Sequence, residues 1–499
     1  MIRKEIVLYI ALACSLGMQA QTRQQLGGVY YAYPNGPEVK TGTFGKATAW
    51  LADSLNQLPA GFTPFYISHY GRHGSRWMPH DNRYTWIYQH FEDESNLTPL
   101  GLKVKALLKR VVDNAMGNGG KLSKLGALQH QGIALRMYQH YPQIFAAGNH
   151  VKARSSVVDR CAKSMQAFTS ELRMLQPGLN MDVKTDSADM AWIAYVSPEI
   201  KALEKRTNVV AQVSPDRFLH QLFKDIRKVD EPLKLMGEMQ AVTSSIQDVG
   251  LNFPSYPQDI EDGLNALFTD DEFRAFYEAN NRRMTINNGS EATNEEIPAR
   301  CAISLWQNIE AEADAALASE KSSATLRFGH DTALYRLLSL LFDVTLPPAG
   351  AREEESSVVL GDEVDKMDRV VPMAANLQMI FYKNPQDSVL VKFMLNERDI
   401  KISPVGQVIY GTRYYSWNSW KQEMHERIHN LEHIRQLNAI NTMVGTAQAN
   451  TQTAGMFGKG SEEHGQTLPA VLVPNGQNFW TPQTQDTEQK CIAPYYYKD

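Results

Sequence analysis

Short apolar runs and helical apolar stripes alternate along the chain. Phe62–Tyr70 is short, apolar and aromatic, which predicts a buried strand. Residues 98–116 and 122–145 have helical patterning; in the second, Leu128, Leu135 and Tyr138 fall on one face. Residues 150–156 form a strand-like run that leads into a helical stripe of Cys161, Met165, Phe168, Leu172 and Leu175, spaced by fours and threes. Met181–Lys184 predicts a further short strand.

From about residue 188 to 320 the chain turns helical, polar and rich in small and charged residues, with a loop expected over Asn280–Ser290. Ala324–Phe328 is a strand, followed by a helix over Asp331–Phe342 with Leu334, Leu337, Leu338 and Leu341 on one face. Leu377–Tyr382 and Val389–Leu395, split by Asn384-Pro385-Gln386-Asp387, predict a β-hairpin. This order predicts an α/β core in two parts, 21–187 (with a helical excursion over 80–148) and 321–443. A smaller α-helical domain is inserted over 188–320, and a turn-rich tail over 444–499 wraps the surface. No internal repeat is visible.

A length of 499 residues fits this division, because single cores stop growing at roughly 250–300 residues. With 43% hydrophobic and 21% charged residues, the composition excludes a disordered chain, a collagen-like repeat and a coiled coil. The net charge of −5, with no polybasic block, gives no footprint for nucleic acid. The one long apolar run is Ile6–Met18, behind Arg3 and Lys4 and ahead of the small Ala20. This is the pattern of an export signal over 1–20, too short for a comfortable membrane span. Its removal leaves a mature chain of net charge −6 with no transmembrane segment. Lipidation at Cys14 is a competing reading, but Ala11-Leu12-Ala13 matches a lipobox poorly. Cys161, Cys301 and Cys491 then remain, enough for one disulfide and one free thiol, at spacings that suit no zinc motif.

The charge pattern points to chemistry at three strand ends. Phe62–Tyr70 runs into Gly71-Arg72-His73-Gly74-Ser75-Arg76; the strand 150–156 leads to a helix whose first turn carries Arg160; Ala324–Phe328 ends in Gly329-His330-Asp331. Ligands of open α/β sheets bind beyond the carboxyl ends of strands, where helix N-termini add free N–H groups. If the three strands are neighbours, Arg72, Arg76, Arg160, His73 and His330 converge. Such a cluster is costly unless a multiply charged anion fills it, and phosphate matches planar guanidinium groups.

Arg72-His73-Gly74-Ser75-Arg76 resembles the Arg-His-Gly-x-Arg motif of histidine acid phosphatases, and Gly329-His330-Asp331-Thr332 resembles their His-Asp motif. Arg160 stands where that family keeps a third phosphate-binding arginine, and the hairpin after Ala374-Ala375-Asn376-Leu377 looks like its C-terminal region. Phosphoglycerate-mutase-like relatives share only Arg-His-Gly, so Arg76 favours the acid phosphatase branch. Ser155-Ser156 with Arg160-Cys161 and Ser164 is similar to the multiple inositol polyphosphate phosphatase (phytase) branch. There are departures. That branch usually ends its second motif in His-Ala-Glu, where this chain has His330-Asp331. The proline usual two positions after the second arginine comes at Pro79, behind Trp77-Met78. The resemblance implies a Rossmann-like mixed sheet flanked by helices (phosphoglycerate mutase-like), with a helical domain over the cleft. It implies that Arg72, Arg76, Arg160 and His330 bind the phosphoryl group, that His73 attacks phosphorus, and that Asp331 protonates the leaving alcohol. No metal or other cofactor is required on this reading, because the arginines carry the electrostatic work. The expected partner is a small phosphomonoester, inositol phosphates foremost, with a broad-specificity acid phosphatase as the alternative. Trp77–Phe91 and the helical domain are expected to set substrate choice, and His69 to pack beneath the site.

Two other function classes compete. His425-Glu426-Arg427-Ile428-His429, with His433 farther along the same helix, fits the His-Glu-x-x-His pattern of zinc peptidases. Its surroundings (Lys421, Gln422, Glu423, Arg427, Glu432, Arg435) are charged on all sides, unlike a half-buried zinc helix, so a plain surface helix is favoured. A non-catalytic protein that captures a phosphorylated ligand would explain the arginines, but would not call for Asp331 beside His330 or a histidine between Arg72 and Gly74.

Overall fold

The computed structural model describes residues 21–34, 58–341, 367–400, 402 and 414–455. The expected export signal, Cys14, Cys491 and the expected tail from 456 onward lie outside these residues. The chain divides into two compact units, Met1–Ile428 and His429–Asp499; the architecture below is that of the first.

An eight-stranded mixed sheet forms its centre, in the order β3-β2-β4-β1-β5-β6-β7, with β8 also paired to β6. The strands are β1 Thr63–Arg72, β2 His150–Ser155, β3 Asn180–Thr185, β4 Ser323–Gly329, β5 Asn376–Lys383, β6 Val389–Leu395, β7 Arg398–Ile400 and β8 Tyr414–Ser416. β3, β2, β4 and β1 run parallel, and β5 pairs antiparallel with β1 and with β6 as the expected hairpin. Alternation along β1 explains the layers. Ile67 and His69 face the helices Lys124–His140 and Asp159–Leu175, where Ile133, Met137, Phe168 and Leu172 complete the core. Ser68 and its neighbour Arg327 face the helix Ile303–Leu317, where Asn308 accepts from the Arg327 guanidinium.

Between β3 and β4 the elements are all helices, the longest being Pro232–Val249 and Asp270–Asn288. Three expectations are corrected. Asn280–Ser290 is not a loop up to residue 288. The helix Asp270–Asn288 begins with a Thr269/Glu272 capping box, buries Phe273, Phe276, Tyr277 and Met284, and holds its asparagine-rich end with bonds such as Thr207 Oγ1 to Asn287. The tail does not begin at 444, because the helix starting at Trp417 continues to Gly455. In the helix Lys124–His140, Leu128, Leu135 and Tyr138 are half-buried. The deepest face carries Gly126, Gln129, His130, Ile133 and Met137, because Gly126 and Gln129 meet the loop after β1 and Ile133 and Met137 pack into the core beneath the sheet.

Candidate active site

Strand register brings the three charged junctions together. Arg72 at the end of β1 lies opposite Gly329 at the end of β4, and Ser155 at the end of β2 lies opposite Phe328. The carboxyl ends of three adjacent parallel strands thus open at one level, where the switch rule places a ligand.

The loop after β1 is held by its own backbone. Arg72 N–H donates to the Ala375 carbonyl (2.7 Å), His73 N–H to Gly329 (2.9 Å), Gly74 N–H to Ser164 Oγ (3.1 Å) and Ser75 N–H to Gln129 Oε1 (2.8 Å). The hydrogens of these four N–H groups are spent within the protein. Here positive charge is supplied by the side chains of Arg72 and Arg76. Gly74 and Gly126 allow the loop and the helix Lys124–His140 to touch. A Cβ on Gly74 would stand 2.4 Å from the Gly126 carbonyl oxygen, and one on Gly126 would stand 2.2 Å from that of Ser75.

Arg72 is fully buried. Its Nη1 donates to the carbonyls of Val29 (3.0 Å) and Val371 (2.6 Å), and its Nη2 lies 3.0 Å from Asp331 Oδ2. Arg76 donates from Nη1 to the Trp77 carbonyl (2.9 Å), and its guanidinium lies over the Tyr30 ring, 5.5 Å from the centroid. Arg160 is buried on the first turn of the helix Asp159–Leu175. His330 contacts Ser156 Oγ through Nε2 (3.1 Å), and its ring meets that of His73 edge-on at 5.9 Å. All six expected site residues are thus brought to one buried cluster.

His73 Nδ1 lies 2.9 Å from the Gly74 carbonyl, which can only accept, so the proton sits on Nδ1 and the lone pair on Nε2. Nε2 has no hydrogen-bond partner among the described residues. Burial first, and then the charges of Arg160, Arg72, Arg76 and His330, push this imidazole well below the usual histidine range, so it is neutral. For Asp331, burial alone would raise the carboxyl. The charges of Arg72, His330 and Arg76, with the Thr332 N–H, outweigh it and hold the group below its ordinary value.

Sequence patterning missed the supports beneath this cluster. Ser75 Oγ donates to Asp248 (2.5 Å) and accepts from Gln129 Nε2 (2.9 Å). Burial, opposed by the Ser75 bond and by Arg76 and Arg72, pushes Asp248 up to about 8. The one available signal was polarity, Thr243-Ser244-Ser245 and Gln247-Asp248 on a helix that turns out buried almost throughout. Val29 and Tyr30, ahead of the first strand, gave none. His69 lies under the loop as expected, between Phe168 (5.5 Å) and Phe328 (5.3 Å). In the segment after Arg76, Trp77 packs against Phe253 and Tyr84. Cys161 and Cys301 are both buried, and no disulfide joins them to one another.

The His-Glu-x-x-His motif is placed differently. His425 is exposed, and its Nε2 lies 2.7 Å from Glu310. Among the described residues no group of three or more His, Cys, Asp or Glu is arranged to hold a metal.

A buried arginine and histidine cluster at the ends of parallel strands defines a phosphate-handling α/β enzyme. Residues 71–396 match the histidine phosphatase superfamily (branch 2), and the chain belongs to that superfamily. It is 21% identical over 340 residues to multiple inositol polyphosphate phosphatase 1 of Gallus gallus, covering 65% of this chain and 73% of that protein. The fold is similar to crystal structures of the Bifidobacterium longum multiple inositol polyphosphate phosphatase. The similarity is a TM-score of 0.60 to its complex with phosphate and 0.59 to that with inositol hexasulfate, at 17% identity over 80% of this chain and 97% of that one. The phytase from D. castellii shares the fold at a TM-score of 0.54 and 14% identity, over 81% of this chain and 85% of that one.

Proposed function

We propose that this enzyme removes phosphate from inositol polyphosphates, phytate among them, through a phosphohistidine at His73. The observation that carries the reading is a neutral, buried imidazole whose Nε2 lone pair is uncommitted beside three arginines. A phosphate dianion repels nucleophiles, so catalysis requires its charge to be balanced and the attacking atom held in line. Arg72, Arg76 and Arg160 bind the non-bridging oxygens, and His330 adds a hydrogen bond. His73 Nε2 forms the N–P bond as the ester P–O bond breaks, and Asp331 passes a proton to the departing alkoxide. Water then attacks the phosphohistidine, giving its proton to Asp331 and releasing inorganic phosphate.

The Arg72–Asp331 pair explains how a carboxyl held low in the ligand-free enzyme becomes a proton donor. A bound dianion draws Arg72 toward itself and sets negative charge beside Asp331, and both raise its affinity for a proton. This favours turnover at acidic pH. The inositol phosphate assignment is supported by the avian relative and by the Bifidobacterium protein, whose crystals hold inositol hexasulfate. Export through residues 1–20 belongs to the same reading.

A product profile tests it. Phosphate release from phytate, followed across acidic and neutral pH with chelator present, should exceed that from simple alkyl phosphates at equal concentration. Equal rates on both would leave a broad-specificity acid phosphatase. Loss of all activity in chelator would contradict the metal-free mechanism.

A further inference from the structure

Arg72 at the end of β1 and Arg76 in the loop after it are both contacted from a part of the chain that precedes all eight described strands. The segment Gln21–Tyr33 lies between the helix Pro232–Val249 and the stretch leading into β5. Gln247 ties it at two points: its Nε2 donates to the Gln24 carbonyl (3.2 Å), and its Oε1 accepts from Ala32 N–H (3.2 Å). On the other side Met373 N–H donates to the Tyr31 carbonyl (2.8 Å). Between these anchors, Gly28 turns the chain at φ +60°, ψ −114°, where a Cβ would also stand 2.9 Å from Met367 Cε. That turn presents Val29 and Tyr30 to the site.

Val29 offers its carbonyl to Arg72, and Tyr30 lays its ring under the Arg76 guanidinium. The Tyr30 ring is itself fixed. Its hydroxyl accepts from Arg83 Nη1 (3.2 Å), and Glu238 holds Arg83 through two bonds of 2.7 and 2.9 Å, all buried. A guanidinium on an aromatic face gains electrostatic attraction and loses rotational freedom, and the gain is larger where water is excluded. Bidentate binding of an anion needs the guanidinium plane set in advance.

We propose that Tyr30 is a positioning residue for Arg76, and that Gln21–Tyr33 is a strap completing the phosphate site. The inference rests on the functional reading above, in which Arg76 binds the phosphoryl group. Tyr30 touches no reacting atom in this scheme; it acts by fixing the arginine's plane.

The test measures inhibition by inorganic phosphate and the KM for an aryl phosphate. Tyr30→Leu should weaken both by about tenfold, the scale of a desolvated cation–π contact. Tyr30→Phe keeps the ring and should stay within about twofold of the parent. In an Arg76→Ala background Tyr30→Leu should change neither value further, because residues acting through one another are not additive. If Tyr30→Leu does not fold, Tyr30→Met takes its place. Parent-like phosphate inhibition in the leucine variant would overturn the proposal, as would a full tenfold effect persisting without Arg76. If Arg76→Ala alone leaves phosphate inhibition unchanged, the reading of the site fails instead.

Discussion

Two clusters in this protein carry histidine beside acidic and basic neighbours, and they differ in almost every physical respect. At the strand ends, Arg72, His73 and Asp331 are almost completely buried. There His73 is neutral, and Arg72 pairs with Asp331 in a water-poor setting where charge acts strongly. On the helix that starts at Trp417, His425 is 62% exposed in its side chain and bound to Glu310. Surface pairs of that kind contribute about 0–1 kcal/mol and are screened by salt. Both clusters are legible as motifs. Burial, enforced by the sheet, distinguishes a reactive group from a decorated surface.

The sharpest way to break this contrast is to remove one histidine from each cluster. His73→Ala should lower turnover of any phosphomonoester on the order of 10⁴-fold or more, because it deletes the proposed nucleophile. His425→Ala should leave kcat and KM within about twofold. Steady-state kinetics on a generic aryl phosphate checks both, and comparable losses would dissolve the distinction.

Asp331→Asn refines the roles inside the buried cluster. Loss of a proton donor should cost about 10²–10³-fold on alkyl phosphates, whose alkoxides leave poorly, and about tenfold or less on nitrophenyl phosphate. The sign with pH follows. The donor form is protonated, so kcat on alkyl substrates falls as pH rises through the Asp331 pKa of the complex, and that alkaline limb should vanish in the variant. An equal loss on both substrate types would make Asp331 a positioning group.

The smallest effect concerns stability. Burial holds His69 and His130 at about 3, against 6.5 for the free side chain; His130 and Arg327 add to the lowering at His69. A depressed folded-state pKa means the unfolded chain binds the extra proton first. The stability from these neutral rings is complete above pH 6.5 and is lost as pH falls toward 3, at up to about 1.4 kcal/mol per pH unit for each. His130 packs edge-on against Phe328 (5.6 Å), so His130→Phe should flatten Tm against pH over that range. An unchanged slope would place the acid lability elsewhere.

How much of this was readable in the chain follows from what each element is asked to do. β1, β2, β4 and the helices Asp159–Leu175 and Asp331–Leu341 show in the pattern because each buries a continuous apolar face, whereas Asp81–Gln89, which buries Arg83 beside Tyr84 and Ile87, does not. The six proposed site residues were legible because strand ends in a parallel sheet converge by topology. Asp248, Gln129 and Tyr30 were not, because their partners Ser75 and Arg76 are distant in sequence and only the fold brings them together. Asn280–Asn288 was misread because its asparagines find partners from elsewhere in the chain, Thr207 for Asn287 and the Met367 N–H for Asn281, where local propensity alone favours a loop. Tertiary contacts decided these cases.

The central claim is that His73 is phosphorylated during turnover. Rapid mixing with an aryl phosphate, quenching in alkali and peptide mass spectrometry tests it most directly, since phosphohistidine survives base. The account predicts a phosphoryl group on the peptide carrying Arg72-His73-Gly74, localised to His73 and absent from His73→Ala. A phosphoryl group on another residue, or none trapped in Asp331→Asn while that variant still turns over the aryl phosphate, would contradict it.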